Sequence, residues 1–311
     1  MAATDYPEVP FHVSMLHPRY WLTWLGLAVA SLMVQLPLTW RHALGDQLGG
    51  YLYRRSAKRR NMVRNNLRQV FPDLSESALE QTVKSHLRWY GRGLVDYSVF
   101  FFSGRQRLLE QVEIEGGELL EAAHSRQQPI ILLLAHSVML EFAVIALSTR
   151  YQSFGSYKSS DNPVLDWMIA RSRCRFADFV VPRDAGLRPL VRALQSKRIM
   201  IFLPDEDLGL ENAVFAPFFG RQKATLTTPA RLTKLGKAEA IAGFVVFDES
   251  KKRYVLKLKS MPDNYPTGEL ATDAVALNKA LELLILESPE QYMWLMKWYK
   301  TTAEGDEYLY S

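Results

Sequence analysis

His136 and Glu141 interrupt the apolar run PIILLLAHSVMLEFAVIAL, residues 129–147. In that setting a histidine and a carboxylate are either satisfied core residues or a general base and the group that orients it. A carboxylate on one ring nitrogen fixes the tautomer and frees the other nitrogen to take a proton. Such a base typically contributes about 10²- to 10⁴-fold to rate. Five residues along one continuous helix lie about 140° apart, so the pair would not share a helix face. They can meet only if His136 lies in a turn before the helix. PIILLLA (129–135) reads as a strand and a helix begins near Val138. His136 then sits at the carboxyl end of a strand, where open α/β sheets place their sites. Glu141 falls in the first helical turn, where its charge suits the dipole. On spacing alone, a half-buried histidine satisfied by backbone stands as the alternative.

The elements around this pair read as an α/β layered domain. The apolar runs 129–135, 179–181, 198–204, 240–247 and 253–259 read as strands, with helical patterns near 138–150, 163–176, 187–196, 224–236 and 271–288. That alternation predicts a mostly parallel sheet flanked by helices. Upstream, Ser75 or Ser77 opens an amphipathic helix on which Leu79, Val83, Leu87, Tyr90 and Leu94 recur at helical spacing. The expected organisation is residues 1–48 as tail and anchor, 49–105 as a basic and amphipathic helical segment, and 106–311 as the catalytic domain.

The stretch from Tyr20 to Trp40 contains no charged residue. Its 21 positions would span roughly 31 Å as a helix, about the thickness of a bilayer core, and tryptophans and a tyrosine mark its two ends. A membrane-spanning anchor helix over about 20–40 is the expectation, with a segment lying in the membrane plane as its alternative; Pro37 would kink it. Arg54, Arg55, Lys58, Arg59, Arg60, Arg64 and Arg68 follow. They predict a cytoplasmic side and contact with anionic headgroups.

The chain of 311 residues has a formal net charge of +5, 23% charged and 48% hydrophobic residues, which excludes a disordered or polytopic protein and suits acidic partners. Its one cysteine, Cys174, excludes an intrachain disulfide and has no activating neighbours besides arginines. No nucleic-acid motif accompanies the basic balance.

HSVMLE resembles the His-x4-Asp/Glu motif of glycerolipid-type acyltransferases. NPVLDWMIARSRCRF, FLPDEDLG, FAPFFGRQKATLTTPARL and PEQYMWLMKWYKT then resemble, in order, segments of the late acyltransferases of lipid A biosynthesis, over roughly residues 20–301. The resemblance implies a glycerolipid-acyltransferase-like fold, a bacterial inner-membrane anchor with a cytoplasmic active site, and no metal and no cofactor. It also implies acyl transfer from acyl-acyl carrier protein to a 3-hydroxyacyl hydroxyl of a Kdo-bearing lipid A precursor. His136 would be the base and Glu141 its orienting carboxylate, with backbone N–H groups near the helix start as oxyanion donors. Arg173 matches the arginine after the NP motif, and Arg183 in VPRDAG is a second candidate for binding substrate phosphate or carboxylate. Asp205 would shape the site or contact sugar hydroxyls. FAPFFG could line an acyl groove or be core, and the aromatic stripe of PEQYMWLMKWYK could be an interfacial helix or core.

FLPDEDLG and RQKATL look closer to the second-step, myristoyl-type branch. LMKWYK departs from the His-Arg-Arg run of many first-step enzymes, which raises Lys297 and Lys300 as substitutes for an arginine pair. Two alternatives are a glycerophospholipid acyltransferase with the same dyad and a silent membrane-anchored lipid-binding protein. FLPDEDLG stands where the former carries a Phe-Pro-Glu-Gly-Thr-Arg type block, and the presence of both His136 and Glu141 weighs against the latter.

Overall fold

The five apolar runs form strands in the computed structural model, which describes residues 10–157, 159–182, 186–302 and 308–310. They are β2 (Ile130–Leu134), β4 (Phe179–Pro182), β5 (Ile199–Phe202), β8 (Glu239–Asp248) and β9 (Arg253–Ser260). Two less apolar segments join them in one sheet, β1 (Val112–Glu115) and β3 (Ser153–Tyr157), giving the order β1-β9-β8-β2-β5-β3-β4. The β8–β9 pair is antiparallel and the other pairings in this sheet are parallel. The expectation of a mostly parallel sheet flanked by helices holds.

β2 lies at the centre because its sequence allows it. Every residue of IILLL is buried, as a parallel strand covered on both faces requires. Ile131 and Leu133 enter one core, with Phe244, Leu281 and Trp294. Ile130, Leu132 and Leu134 enter the other, with Ile145 and Phe247. The period of two assigns successive side chains to opposite faces. Truncating Leu132 or Leu133 to alanine should therefore cost about 2–5 kcal/mol.

β6 (Ala213–Phe218) and β7 (Arg221–Leu226) form a separate hairpin. Phe219 and Gly220 both have positive φ, 49° and 77°, as a two-residue hairpin turn of matching twist demands. Phe218 is fully buried, so FAPFFG contributes to the core. The aromatics of PEQYMWLMKWYK do the same. Tyr292, Trp294, Trp298 and Tyr299 are at 0–1% exposure in a chain of turns rather than an interfacial helix.

The long helix of the N-terminal half is α4 (Glu76–Phe102), capped by Ser75, whose hydroxyl accepts from the Ala78 N–H. α2 (Leu38–Arg55) packs antiparallel along it, Arg41 against Asp96 and Asp46 against Arg92. The two backbones touch where glycines permit it: a Cβ on Gly91 would lie 2.2 Å from the Gly45 carbonyl oxygen. α3 (Ala57–Val70) closes against the sheet layer, with Asn66 donating to the Trp294 and Met296 carbonyls at 2.7 and 2.8 Å.

The expected span at 20–40 is not formed. α1 (Trp21–Met33) has 13 residues, roughly 20 Å of helix against about 30 Å of hydrocarbon. The chain turns after Met33, and Pro37 starts α2 instead of kinking one long helix. No helix among the described residues is long and apolar enough to cross a membrane. The basic run is also displaced. α2 carries the chain roughly 27 Å along α4 over its 18 residues before Arg54 and Arg55 appear at its end. Beyond it, Arg64 and Arg68 pair with Glu76, and Arg60 donates to the Tyr53 carbonyl.

Candidate active site

β2 and β5 are parallel neighbours in the register Leu133↔Phe202. Three residues further along each chain come His136 and Asp205, so the sheet order alone sets them side by side beyond the carboxyl ends of the strands. Asp205 Oδ1 lies 2.6 Å from His136 Nδ1, and Oδ2 accepts from the His136 backbone N–H at 2.8 Å and the Tyr292 hydroxyl at 3.0 Å. Nδ1–H donating to a carboxylate fixes the tautomer in which Nε2 carries the lone pair. The ring stands 5.7 Å from Trp298 and lines a cleft of about 260 Å³.

The carboxylate on the His136 ring is thus Asp205, not Glu141 as the sequence spacing had suggested. Glu141 is the cap residue of α7 (Phe142–Leu147), 5% exposed, and it also lines the cleft. Its oxygens are held by Arg173 in a fork, Nε to Oε2 at 2.9 Å and Nη2 to Oε1 at 2.5 Å, and its charge, after burial, pushes the Tyr97 hydroxyl on α4 up. The difference is one of topology: the ring faces the neighbouring strand end rather than the following helix.

Arg173 ends α8 (Pro163–Arg173). The NP motif explains its placement. Asn162 caps the helix, accepting from the Val164 and Leu165 N–H groups at 3.1 and 3.3 Å, and Pro163 occupies the first turn. The Asn162 amide also donates to Thr23 on α1 at 2.9 Å. Arg183 lies outside the described residues. Lys297 stands over the Tyr310 ring at 5.8 Å, and neither it nor Lys300 lines the cleft.

Below the cleft is a buried charge cluster that the sequence spacing did not disclose. Asp205 and Asp207 are 1% and 2% exposed and Lys223, on β7, is fully buried. Burial pushes the Lys223 ammonium down to about 8, against the pull of Asp205, Asp207 and Glu206. For Asp205, burial acts to raise the carboxyl. The charge and hydrogen bond of the His136 imidazole, the His136 backbone N–H and Lys223 outweigh it and hold the group below its usual range. Asp205 therefore cannot reach sugar hydroxyls; it acts through His136. Asp207 is saturated by the Thr301 N–H and hydroxyl and by the Gly209 N–H, so its work is structural.

Several N–H groups near the helix start, the region expected to supply oxyanion donors, are engaged. Val138 donates to the Gln291 carbonyl, Met139 to the Ser137 hydroxyl, and Leu140 and Phe142 to the Ser137 and Met139 carbonyls. Among the described residues that line the cleft, the arginine is Arg173. Leu134, Leu140, Val144, Val180 and Ile201 give it apolar wall, and Glu141 and Glu206 also line it. A second cavity of about 280 Å³ adjoins it, sharing Ser156 and Leu203. Tyr97, Tyr292 and Lys223 were missed because nothing in their own segments marks them. An inward lysine in the buried run KATL is the nearest thing to a signal.

Residues 8–301 match the family described as bacterial lipid A biosynthesis acyltransferase. The chain is similar to the lipid A biosynthesis lauroyltransferase of Escherichia coli K12, 31% identical over 97% of this chain and 98% of that protein. Similarity to the palmitoleoyltransferase of the same organism is 30% over 98% and 99%. To its myristoyltransferase it is 27% over 95% and 92%.

Proposed function

The chain belongs to the bacterial lipid A biosynthesis acyltransferase family, and from that premise we propose that His136 is the general base for transfer of a fatty acyl group to a hydroxyl of a lipid A precursor. The observation that carries this reading is the His136–Asp205 pair in a cleft whose wall is partly apolar. An acyl chain suits the apolar part, and a hydroxyl, a poor nucleophile at neutral pH, needs a base with a fixed lone pair.

Nε2 takes the acceptor proton as the hydroxyl oxygen attacks the thioester carbonyl of an acyl-acyl carrier protein. Asp205 stabilises the imidazolium that forms. The tetrahedral intermediate collapses, the C–S bond breaks, and His136 returns the proton to the leaving thiol. No enzyme-bound acyl group is required. Glu141 holds Arg173 with its guanidinium at the cleft, where its charge faces the anionic groups of the acceptor. The two adjoining cavities suit the two chains that must meet, one on the donor and one on the acceptor. The site works at a bacterial inner-membrane surface, since its acceptor is a membrane lipid. FLPDEDLG and RQKATL favour the second-step branch, although identities of 31, 30 and 27% to three transferases of different acyl name do not separate the branches.

The test offers lauroyl- and myristoyl-acyl carrier protein with tetra- and penta-acylated Kdo-lipid A to purified wild type and His136→Ala. Transfer to the penta-acylated acceptor, lost in the variant, is the expected result. Transfer to the tetra-acylated acceptor alone keeps the base and overturns the branch. Activity surviving in His136→Ala overturns the mechanism.

A further inference from the structure

α9 (Leu187–Leu194) and α10 (Thr228–Gly236) lie side by side, so close that a Cβ on Gly236 would stand 3.0 Å from Leu194 Cδ1. Their sequences divide the two faces. Leu190 and Leu194 of α9 and Leu232 and Gly236 of α10 are buried, while Arg188 and Arg192 on α9 and Arg231 and Lys234 on α10 are exposed. Positions 188 and 192 are one helical turn apart, as are 231 and 234, so the cations share an outward surface. Residues 186–197 and 227–237 hold six lysines and arginines and no carboxylate. Elsewhere Arg64, Arg88, Arg126 and Arg150 each face a carboxylate. Among the described residues, none pairs with Arg188, Arg192, Arg231 or Lys234.

This basic surface borders the second cavity. Leu190 of α9, Thr228 of α10 and Asn212 line that cavity, and the Asn212 amide oxygen accepts from Arg231 at 3.0 Å, which sets Arg231 at the rim. Leu208, another lining residue, is 41% exposed and Leu210 beside it 65%, so the mouth also offers apolar contact. Glu211 is the carboxylate in the lining, against four unpaired cations. Inward, the cavity meets the His136 cleft at Ser156 and Leu203. A path therefore runs from a cationic surface to the base. Its volume of about 280 Å³ admits a narrow arm and no folded domain. The donor that fits has two parts: a flexible arm that carries the thioester inward and an anionic body that stays outside. An acidic carrier protein has that chemistry, and the phosphodiester of its phosphopantetheine arm would pass Arg231. An anionic lipid surface would match the charge and make no use of the path.

We propose that the outer face of α9 and α10 docks an acidic acyl carrier protein, whose prosthetic arm enters through the second cavity to reach His136. This docking rests on the reading of acyl-acyl carrier protein as the donor, and adds to it a surface and a direction of entry. The donor comes in past Arg231 and Leu208, which leaves the side of the cleft at Arg173 to the acceptor. Charge on the two helices speeds encounter and fixes register, so it acts on KM and not on the chemical step.

The test is steady-state transfer by the full-length protein in detergent, with lauroyl-acyl carrier protein varied at saturating acceptor. Arg188→Glu with Arg192→Glu, and separately Arg231→Gln with Lys234→Gln, should each raise the KM for the carrier at least 10-fold with kcat within 2-fold. Arg54→Gln with Arg55→Gln, an equal loss of exposed charge at the end of α2, should move KM less than 2-fold. Circular dichroism confirms folding of each variant. The path has its own readout. Leu208→Cys, in a Cys174→Ser background, should form a disulfide with a carrier protein whose prosthetic thiol is activated as a pyridyl disulfide. It should do so at least 10-fold faster than Leu283→Cys, which is 39% exposed on α11 (Leu270–Ile285). Wild type that transfers from the carrier while the α9 and α10 variants keep its KM would overturn the docking and leave the donor reading intact. Equal disulfide rates at the two cysteines would overturn the entry path. The same variants losing affinity for phosphatidylglycerol vesicles, with KM unchanged, would make the face a lipid contact. Wild type that transfers nothing from the carrier would overturn the donor reading and the docking together.

Discussion

Asp205→Asn is the sharpest perturbation of the site, because the wild-type hydrogen bonds dictate how the amide must sit. Two donors, the His136 N–H at 2.8 Å and the Tyr292 hydroxyl at 3.0 Å, converge on Oδ2. The asparagine oxygen will take that side, since an NH₂ there would face two donors. The NH₂ is then directed at His136 Nδ1, 2.6 Å away in the wild type. Nδ1 must accept, the ring proton moves to Nε2, and the lone pair that served as base is gone. Loss of a positioned base is worth about 10²- to 10⁴-fold, or about 3–5 kcal/mol at 1.36 kcal/mol per decade. The assay is steady-state transfer from acyl-acyl carrier protein in detergent micelles. kcat should fall by that factor with KM changed less than about 3-fold, and ¹⁵N shifts of the His136 ring should report the other tautomer. Glu141→Gln, which loosens Arg173, should instead leave the tautomer unchanged. If Asp205→Asn keeps kcat within 10-fold, or if Glu141→Gln rather than Asp205→Asn switches the tautomer, Asp205 is not the orienting group.

Three further outcomes follow from the fold. His86 is fully buried, with Nδ1 3.0 Å from the Glu290 carbonyl, and burial pushes it down to about 4 from an ordinary 6.5. The unfolded chain binds the proton first, so stability falls by about 3 kcal/mol as pH drops from 6.5 to 4; urea midpoints should show this loss, and His86→Gln should remove it. Lys223 at about 8 has the opposite consequence. Its burial penalty is fully present below pH 8 and fades above it, as the folded lysine gives up its proton while the unfolded one keeps it up to about 10.5. Stability should therefore gain about 2 kcal/mol between pH 8 and 10, a rise that disappears in Lys223→Met. Gly91→Ala places a methyl 2.2 Å from the Gly45 carbonyl oxygen and 2.6 Å from the Gly49 nitrogen. It should destabilise by about 3 kcal/mol in denaturant unfolding, more than core overpacking usually does at its midpoint.

The strands legible in the sequence were those whose apolar residues run unbroken or nearly alternate. β2, β5 and β8 are continuous apolar runs, and their ends were placed within one or two residues. β1 (VEIE) and β3 (SFGSY) were missed because polar residues break their pattern, and the segment from 224 read as helix because β7 runs straight into α10 (Thr228–Gly236). Of the site, His136, Glu141, Arg173 and Asp205 were all named from their segments. Their pairing was not legible. Spacing compares residues along one element, whereas Asp205 reaches His136 across 69 residues because β5 is laid beside β2. The expectation of a membrane-spanning helix failed for a related reason. The absence of charge from Tyr20 to Trp40 says that the stretch is apolar, and the turn after Met33 makes of it a short helix against α4 and α8 instead of one long span.

Asp205, Lys223 and the Tyr292 hydroxyl break the local rule that interior positions are apolar, and what they do for stability differs from what they do for the site. An interior ion cluster is often no more stable than a hydrophobic one of similar volume, and removing one partner alone is costly. Three members can be replaced together: Asp205→Leu, Tyr292→Phe and Lys223→Met remove two charges of opposite sign and the hydroxyl that served one of them, while Asp207 keeps its hydrogen bonds from Thr301 and Gly209. The exchange strands the His136 N–H, whose acceptor was Asp205 Oδ2, at about 1–3 kcal/mol. It relieves a desolvation of several kcal/mol per ion. The triple variant should unfold within about 2 kcal/mol of wild type, while transfer falls at least as far as in Asp205→Asn, because no acceptor fixes the ring. A triple variant that loses its fold would mean that the cluster holds the strand ends together and serves His136 only as a by-product. One that folds and retains activity would mean that the cleft positions His136 without it. Stable and inactive is the outcome that assigns these buried charges to the chemistry.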